Sequence, residues 1–252
     1  MDCRTFLKTA VAALSLLAFD AQATLIDNGD GTVTDDVSNK MWIKDFNLAA
    51  SNTFGLAYST DLGDHPSDSY AASYAEQIFT SGYMNWGAAL HWIDAMNTAN
   101  YLGFNDWRLP GVTDTGSSGC NFAYTGTDCG YNVDLATGEL ADLWYRALGN
   151  TPLYDNSGSG PQAGWGLTNA GPFDNMQSFA YWSGTAYAPS TYGAWGFGTD
   201  DGRQDGAGKS SGLYAVAVRS CDAGGCEGTV PVPGTLALLG LGLAGGAVRR
   251  RR

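Results

Sequence analysis

Hydrophobic residues recur every three or four positions in two stretches of the chain, and this spacing predicts two amphipathic helices. The first helix is expected over residues 85–99, with Asn85 as its N-cap. The second is expected over residues 139–148, with Thr137 as a candidate cap and Gly149 as the residue that ends it. Each helix carries an apolar face, so we expect both to pack against one core.

Short runs of bulky and small residues, bounded by Gly, Asn and Asp, predict strands. A β-hairpin is expected over residues 25–45, and three further strands over residues 179–183, 194–198 and 213–219. Residues 200–206 are expected to form an exposed acidic tip between the last two strands. Long loops connect these elements, which predicts a single loop-rich α+β domain of two helices and short antiparallel sheets.

The N-terminus has the pattern of a secretory signal peptide over residues 1–23. Positive residues precede an apolar core, and a small-x-small site ends at Ala23. We therefore expect signal peptidase to cut between Ala23 and Thr24. The alternative, an uncleaved anchor, is disfavoured because the apolar core is too short to span a membrane.

The C-terminus combines a proline motif, an apolar run and a cationic end. Pro231, Pro233 and Gly234 precede 14 apolar or small residues at positions 235–248, and four arginines follow at 249–252. As a helix the apolar run would be roughly 21 Å long, which is shorter than a bilayer core of about 30 Å. This predicts a helix that anchors the chain in the membrane only transiently, with the arginines on the cytoplasmic side.

The order of these three parts resembles the PEP-CTERM sorting signal of Gram-negative bacteria, here over residues 230–252. Val232 stands where that family usually has Glu. The resemblance implies that exosortase recognises and removes the segment. It also implies export across the inner membrane to the cell surface or to an extracellular polysaccharide matrix. A simple C-terminal anchor is the alternative.

The body of the chain is strongly acidic. Of the 13 basic and 25 acidic residues, six basic and two acidic ones lie in the terminal segments, which leaves a net charge of −16 for the body. Nucleic acid binding is excluded because it requires a basic face, and anionic lipid surfaces are disfavoured for the same reason. A surface of this charge suits a soluble extracellular protein and attracts divalent cations.

Four cysteines remain after the signal peptide is removed: Cys120, Cys129, Cys221 and Cys226. An even number in an exported protein predicts disulfides, and we favour the two local pairs Cys120–Cys129 and Cys221–Cys226. A zinc site is the alternative. It is disfavoured because the spacings are too wide for a zinc knuckle and no histidine lies near either pair.

The body resembles the bacterial domain family DUF1566, which includes the C-terminal domain of the Legionella collagen-like adhesin, Lcl. The matching blocks lie at residues 27–35, 41–42, 103–110, 181–185, 194–195 and 217–219. We assign residues 24–229 to this domain. The W-R-L-P block and mixed layout are also similar to the C-type-lectin-like fold, including its formylglycine-generating-enzyme branch. The adhesin implies binding to sulfated polysaccharides, but the net charge of −16 argues against an anionic glycan.

Four tryptophans in these blocks are interpreted as core anchors: Trp42, Trp107, Trp182 and Trp195. The alternative places one of them beneath a sugar ring. Arg108 is expected to satisfy buried carbonyls or to pair with Asp106.

The sequence carries no fingerprint of an enzyme. Its two histidines, His65 in a loop and His91 within the first predicted helix, are the only ordinary candidates for the base that a serine nucleophile needs. No pair of catalytic carboxylates stands out among the acidic residues. We therefore expect no catalytic residue.

A ligand site is predicted at the acidic tip, where Asp200, Asp201, Arg203 and Asp205 share one short loop. A solvated turn is the alternative. No cofactor is expected, because the acidic cluster at residues 27–31 lacks the ligand spacing of an EF-hand loop, although a calcium ion is left open.

Together these features predict an exported, non-catalytic surface or matrix protein that acts as a lectin-like or adhesin-like binding module. Its ligand would be a neutral glycan, a protein or another matrix component. The alternatives are a purely structural matrix protein and a carbohydrate-active enzyme.

Overall fold

The computed structural model describes residues 25–115, 124–221 and 226. The predicted signal peptide with its cleavage site at Ala23 and Thr24, the sorting segment with Pro231, Pro233 and Gly234, and Cys120 lie outside these residues. Among the residues described, no helix has the length and apolar character needed to cross a membrane.

The first sheet brings together the two ends of the body. Its four antiparallel strands run in the order β1-β2-β3-β7: β1 (Leu25–Asp27), β2 (Thr32–Asp35), β3 (Lys40–Ile43) and β7 (Val218–Ser220). The predicted N-terminal hairpin is confirmed as β2 and β3, with β1 as an additional outer strand. Met41 of β3 lies opposite Arg219 of β7, so the last strand closes the sheet beside the hairpin.

The second sheet contains three antiparallel strands: β4 (Ala180–Ala186), β5 (Gly193–Gly198) and β6 (Gln204–Gly208). The strands expected over residues 179–183 and 194–198 are confirmed as β4 and β5. The prediction of a strand over residues 213–219 is wrong for most of that range. Leu213 and Tyr214 form only isolated bridges, and the regular strand in this region is β7. The true third strand, β6, begins inside the segment that was expected to be an exposed tip.

The first helix, α1 (Trp86–Thr98), is confirmed together with its cap. The Asn85 side chain accepts a hydrogen bond from the Ala88 backbone N–H at 3.3 Å, which satisfies one of the free donors at the helix start. Reciprocal bonds fix this end to the second sheet. The Trp86 indole donates to the Ser183 carbonyl, and the Trp182 indole donates to the Met84 carbonyl, each at 2.8 Å.

The second helix differs in detail from its prediction. It consists of one α-helical turn, α2 (Glu139–Asp142), followed by a π-helical turn, Leu143–Ala147. Thr137 does not cap it, because Gly138 holds the N-cap position and the Thr137 hydroxyl donates to the Asp134 carbonyl at 2.7 Å.

The core is rich in tryptophan, and the four predicted anchors are all buried, with at most 2% of each residue exposed: Trp42, Trp107, Trp182 and Trp195. None of them can therefore lie beneath a bound sugar. Burial of an indole removes a large apolar area from water, provided that its N–H finds an acceptor. The Trp195 N–H finds one in the Asp114 carboxylate, at 2.9 Å.

Of the two expectations for Arg108, the bond to a buried carbonyl is confirmed and the pairing with Asp106 is wrong. Arg108 forms two bonds with the Glu139 carboxylate, at 2.5 and 2.7 Å, and also donates to the Leu109 carbonyl. Asp106 instead pairs with Arg219, at 2.7 and 3.0 Å. These two ion pairs link the W-R-L-P block to α2 and to β7, so the block acts as a structural junction.

Disulfides are present in the described part of the chain. Cys221 and Cys226 are bonded to each other, as predicted, directly after β7. Cys129 is also disulfide-bonded. Its predicted partner, Cys120, lies outside the described residues, so that pairing stays a prediction.

Candidate functional site

The predicted ligand loop is a tight turn between β5 and β6. Gly202 closes it with a φ of +81° and donates its N–H to the Gly198 carbonyl at 2.8 Å. A Cβ placed at Gly202 would lie 2.8 Å from the Trp144 ring, so the turn needs glycine for space as well as for conformation. Asp200 and Asp201 are half-buried rather than fully exposed, which corrects the expectation of an exposed tip.

All four predicted ligand residues line one cavity of about 230 Å³, which we call the acidic cleft: Asp200, Asp201, Arg203 and Asp205. Asp205 belongs to strand β6, so the cleft combines a turn with the edge of a sheet. Phe179 and Leu213 supply apolar surface to the same cavity. The structure thus brings together the four residues that the sequence indicated, and their binding of a ligand stays a prediction.

Partial burial changes the acidity of the cleft. Burial raises the pKa of Asp200, and the neighbouring Asp201 charge raises it further. Burial also raises the pKa of Asp205, while Arg203 opposes this effect. The closest Arg203–Asp205 contact is 3.7 Å, and the Arg203 side chain is well exposed, so this pair contributes little to stability.

Two tyrosines hold the turn in place from below. The Tyr131 hydroxyl donates to Asp201 Oδ2 at 3.1 Å, and the Tyr145 hydroxyl donates to the Gly202 carbonyl at 2.6 Å. Burial, together with the Asp201 charge, raises the pKa of Tyr131, so its phenol stays protonated and remains a donor. The cleft is therefore a fixed structure, which lowers the entropic cost of binding.

Phe179, which lines the acidic cleft, belongs to a cluster of aromatic residues. Phe179 is 41% exposed and stands edge-on to Tyr83, with ring centroids 5.5 Å apart. Tyr83 in turn stacks on Tyr214 at 4.2 Å. Phe179 was not predicted as a site residue, because the sequence pattern there indicated the start of a strand. In the sequence, the only indication of its role is that an aromatic residue directly precedes strand β4.

The side chains of the cleft can form hydrogen bonds to hydroxyl groups. Carboxylates accept hydrogen bonds from hydroxyls, Arg203 can donate to them, and Phe179 offers a flat apolar face. Across residues 25–115, 124–221 and 226, no group of three or more His, Cys, Asp or Glu side chains is arranged to hold a metal ion.

The two histidines lie together at a different place, between the loop before α1 and α1 itself. Their rings are 4.8 Å apart. His65 Nε2 lies 3.1 Å from Asp94, and its Nδ1 accepts the Ser67 backbone N–H. His91 Nε2 lies 3.1 Å from the fully buried Glu76. The Gly63 carbonyl also lies 3.0 Å from His91 Nε2. These contacts of the two histidines join two segments of the chain.

Two protein-family models match the chain, and the first of them covers almost all of the residues that the structure describes. The family model of the Lcl C-terminal domain matches residues 31–219, and that of the PEP-CTERM protein-sorting motif matches residues 229–252. No curated protein and no solved structure matches the chain. The sorting motif indicates export, processing by exosortase and association with the cell envelope. The lectin-like fold and the domain limits at residues 23 and 229 stay predictions.

Proposed function

We propose that this chain, which belongs to the Lcl C-terminal domain family, is a non-catalytic, lectin-like binding module for neutral glycans at the cell surface or in the extracellular matrix. The family and the sorting motif support an exported, envelope-associated protein that is compatible with an adhesin-like role. The proposal that the ligand is a neutral glycan rests on the residues of the acidic cleft.

The observation that carries the proposal is the pairing of carboxylates with an exposed aromatic ring in one preformed cavity. Asp200 and Asp205 present acceptors for sugar hydroxyls, and Phe179 presents a face for the apolar side of a sugar ring. This combination of a flat apolar surface and a few oriented polar groups is what a small polyhydroxylated ligand requires.

Charge favours a neutral ligand over an anionic one. Among the residues that line the cleft, Arg203 is the single cation and faces three carboxylates. A sulfate or uronate group would be repelled by these carboxylates and by the net charge of −16 of the body. We therefore place the ligand among neutral glycans, in contrast to the sulfated polysaccharides that the family resemblance implies.

We further propose that the module has no catalytic activity and needs no cofactor. The partners described for the two histidines support this view, because the contacts are those of a structural junction. A purely structural matrix protein and a carbohydrate-active enzyme are the alternatives that the experiment below separates.

A glycan array probed with the exported protein, with and without a calcium chelator, tests the proposal. We expect binding to neutral glycans that the chelator does not change. Phe179→Ala and Asp200→Asn should each abolish that binding while leaving the circular dichroism spectrum unchanged. Tyr192→Ala and Asp174→Asn are matched controls, since both residues are exposed and lie outside the cleft.

Three results would count against the proposal. Absence of binding above background would favour a structural matrix protein. Binding restricted to sulfated or acidic glycans would contradict the charge argument. Hydrolysis of a neutral glycan by the wild-type protein, lost on substitution of a single carboxylate, would identify an enzyme.

A further inference from the structure

A second polar groove lies next to the acidic cleft. It has a volume of about 450 Å³ and is lined by Asn132, Asp155, Asn156, Ser157 and Gln162. We call it the amide groove. Three of its five residues carry side-chain amides. The amide nitrogens of Asn132 and Gln162 donate to backbone carbonyls of the protein, so these two side chains offer a ligand mainly their oxygens, and Asn156 adds a further amide. A sugar hydroxyl both donates and accepts hydrogen bonds, so it can bind to these amides and to the ionised Asp155 of the same groove.

Three tyrosines pack together beside the amide groove: Tyr124, Tyr131 and Tyr154. Their ring centroids are 5.0 to 6.3 Å apart. Tyr124 is 40% exposed and lies across Gly158, where a Cβ would come within 2.6 Å of its ring. Asn132 donates to the carbonyls of Tyr124 and Tyr154, at 2.9 and 3.0 Å, and thereby joins the tyrosines to the groove.

The loop that forms the floor of the groove is held by its own hydrogen bonds. Asp155 Oδ1 accepts the backbone N–H groups of Ser157 and Ser159, at 2.8 and 2.9 Å, and also the Ser157 hydroxyl at 2.6 Å. The hydrogen bond from the Ser157 side chain, followed by those from the backbone, lowers the pKa of Asp155, so it stays ionised as the acceptor. Because the loop is already ordered, a ligand does not have to order it.

Hydrogen bonds and ring contacts link the residues around the amide groove to the acidic cleft. Tyr131 packs against Tyr124 and Tyr154, and its hydroxyl donates to Asp201 of the cleft at 3.1 Å. Backbone bonds reinforce this link, since Leu153 donates to the Asp201 carbonyl and Gln162 donates to the Leu153 carbonyl. The two sites are therefore connected through Tyr131 and Leu153.

We propose that the amide groove is a second saccharide subsite, so that the protein binds internal units of a linear neutral glycan rather than a single terminal sugar. This inference rests on the proposed function. One sugar unit occupies the acidic cleft against Phe179, and a later unit of the same chain lies in the amide groove against Tyr124. Both subsites recognise uncharged hydroxyl-rich rings, which a regular matrix polysaccharide presents along its length.

The test compares oligomers of different length. Isothermal titration of the exported protein with graded gluco-oligosaccharides and manno-oligosaccharides should show affinity that rises with length and then levels off. Tyr124→Ala and Asn156→Ala should each reduce the affinity for the longest oligomer by about tenfold, which corresponds to about 1.4 kcal/mol. Neither variant should change the affinity for the shortest oligomer that binds. Tyr192→Ala serves as the control.

The two proposals fail in different ways. If the wild-type protein binds neutral oligomers with the same affinity at every length, the second subsite is wrong while the proposed function stands. The same conclusion follows if Tyr124→Ala weakens short and long oligomers equally. If the wild-type protein binds no neutral oligosaccharide, the proposed function is wrong and the second subsite falls with it.

Discussion

Lys209 and Asp68 form an ion pair inside the protein, with Lys209 Nζ 2.9 Å from Asp68 Oδ1 and side chains that are 1% and 0% exposed. The other carboxylate oxygen of Asp68 accepts the Tyr74 hydroxyl. The Lys209 ammonium also lies 4.5 Å from the centre of the Trp86 ring. This cluster fastens the long loop before α1 to the residue that follows β6, and therefore to the sheet that carries the acidic cleft.

The first prediction concerns this buried pair. Lys209→Met should destabilise the protein by about 3–5 kcal/mol, because it leaves the Asp68 carboxylate buried without a counter-charge. Urea denaturation of the variant and the wild type measures this loss in the free energy of unfolding. Lys44→Met, which breaks the exposed pair with Asp27, should cost far less. Equal losses of stability in the two variants would show that the buried pair contributes no more to stability than the exposed pair.

The turn of the acidic cleft gives a second prediction. Gly202→Ala should destabilise the protein by about 2–4 kcal/mol, because the alanine would meet both an unfavourable positive φ and the Trp144 ring. Gly103→Ala is the matched control, since Gly103 has a similar φ of +84° and nothing within 4 Å of the added Cβ. Its loss should be about 1–2 kcal/mol. Thermal unfolding of both variants isolates the contribution of the Trp144 contact.

The third prediction is the pH dependence of glycan binding. Ionised Asp200 and Asp205 accept hydrogen bonds from hydroxyls, and the pKa of each lies above the ordinary value of 3.8. As the pH falls from neutral, binding should therefore weaken before an ordinary aspartate becomes protonated. Titration of a bound oligosaccharide across this range measures the effect. A loss of binding that begins only where an ordinary aspartate becomes protonated would assign the pH effect to other groups.

A fourth prediction concerns acid stability. Burial alone would raise the pKa of Glu139, but its bonds from Arg108 and Gly111 outweigh burial and hold the pKa below the ordinary value of 4.5. Ionised Glu139 therefore stabilises the folded protein. This contribution is fully present above pH 4.5 and is lost as the pH falls through the lower pKa of Glu139 in the folded state.

Glu139→Gln tests this point directly. The variant should be less stable than wild type at neutral pH, and the difference should shrink on acidification. Urea midpoints measured at a series of pH values give both quantities. A difference that stays constant down to acidic pH would mean that Glu139 stabilises the fold through packing alone.

The sequence predicted the elements whose signals are local. Helix α1 has a clear apolar face and a capping Asn85, and the hairpin of β2 and β3 has a turn between two runs of strand-forming residues. Strand β6 was missed because Gln204–Gly208 is small and polar, as in a turn. What makes it a strand is its pairing with β5 and the Tyr187 ring packed over Gly206, and neither contact has a local signal.

The candidate site was predictable only in part. Its four charged residues are close together in sequence, and they do line one cavity. Phe179 and Tyr131 come from distant segments, and their roles depend on how the long loops fold over the second sheet. The Arg108 pairing was wrong for a related reason. Asp106 and Arg108 are neighbours in sequence, whereas the fold offers each of them a more distant partner.

The pairing of β3 with β7 has a consequence for biogenesis. Met41 and Arg219 lie opposite each other but are 178 residues apart in the chain. Contacts between such distant residues form late, since the intervening chain has to be in place first. An exported polypeptide emerges with its N-terminus leading, so β3 stays without its neighbour until residues 218–220 have crossed. The sorting motif at residues 229–252 comes soon after this strand in the chain. Completion of the first sheet and arrival of the exosortase substrate are thus successive events of one translocation.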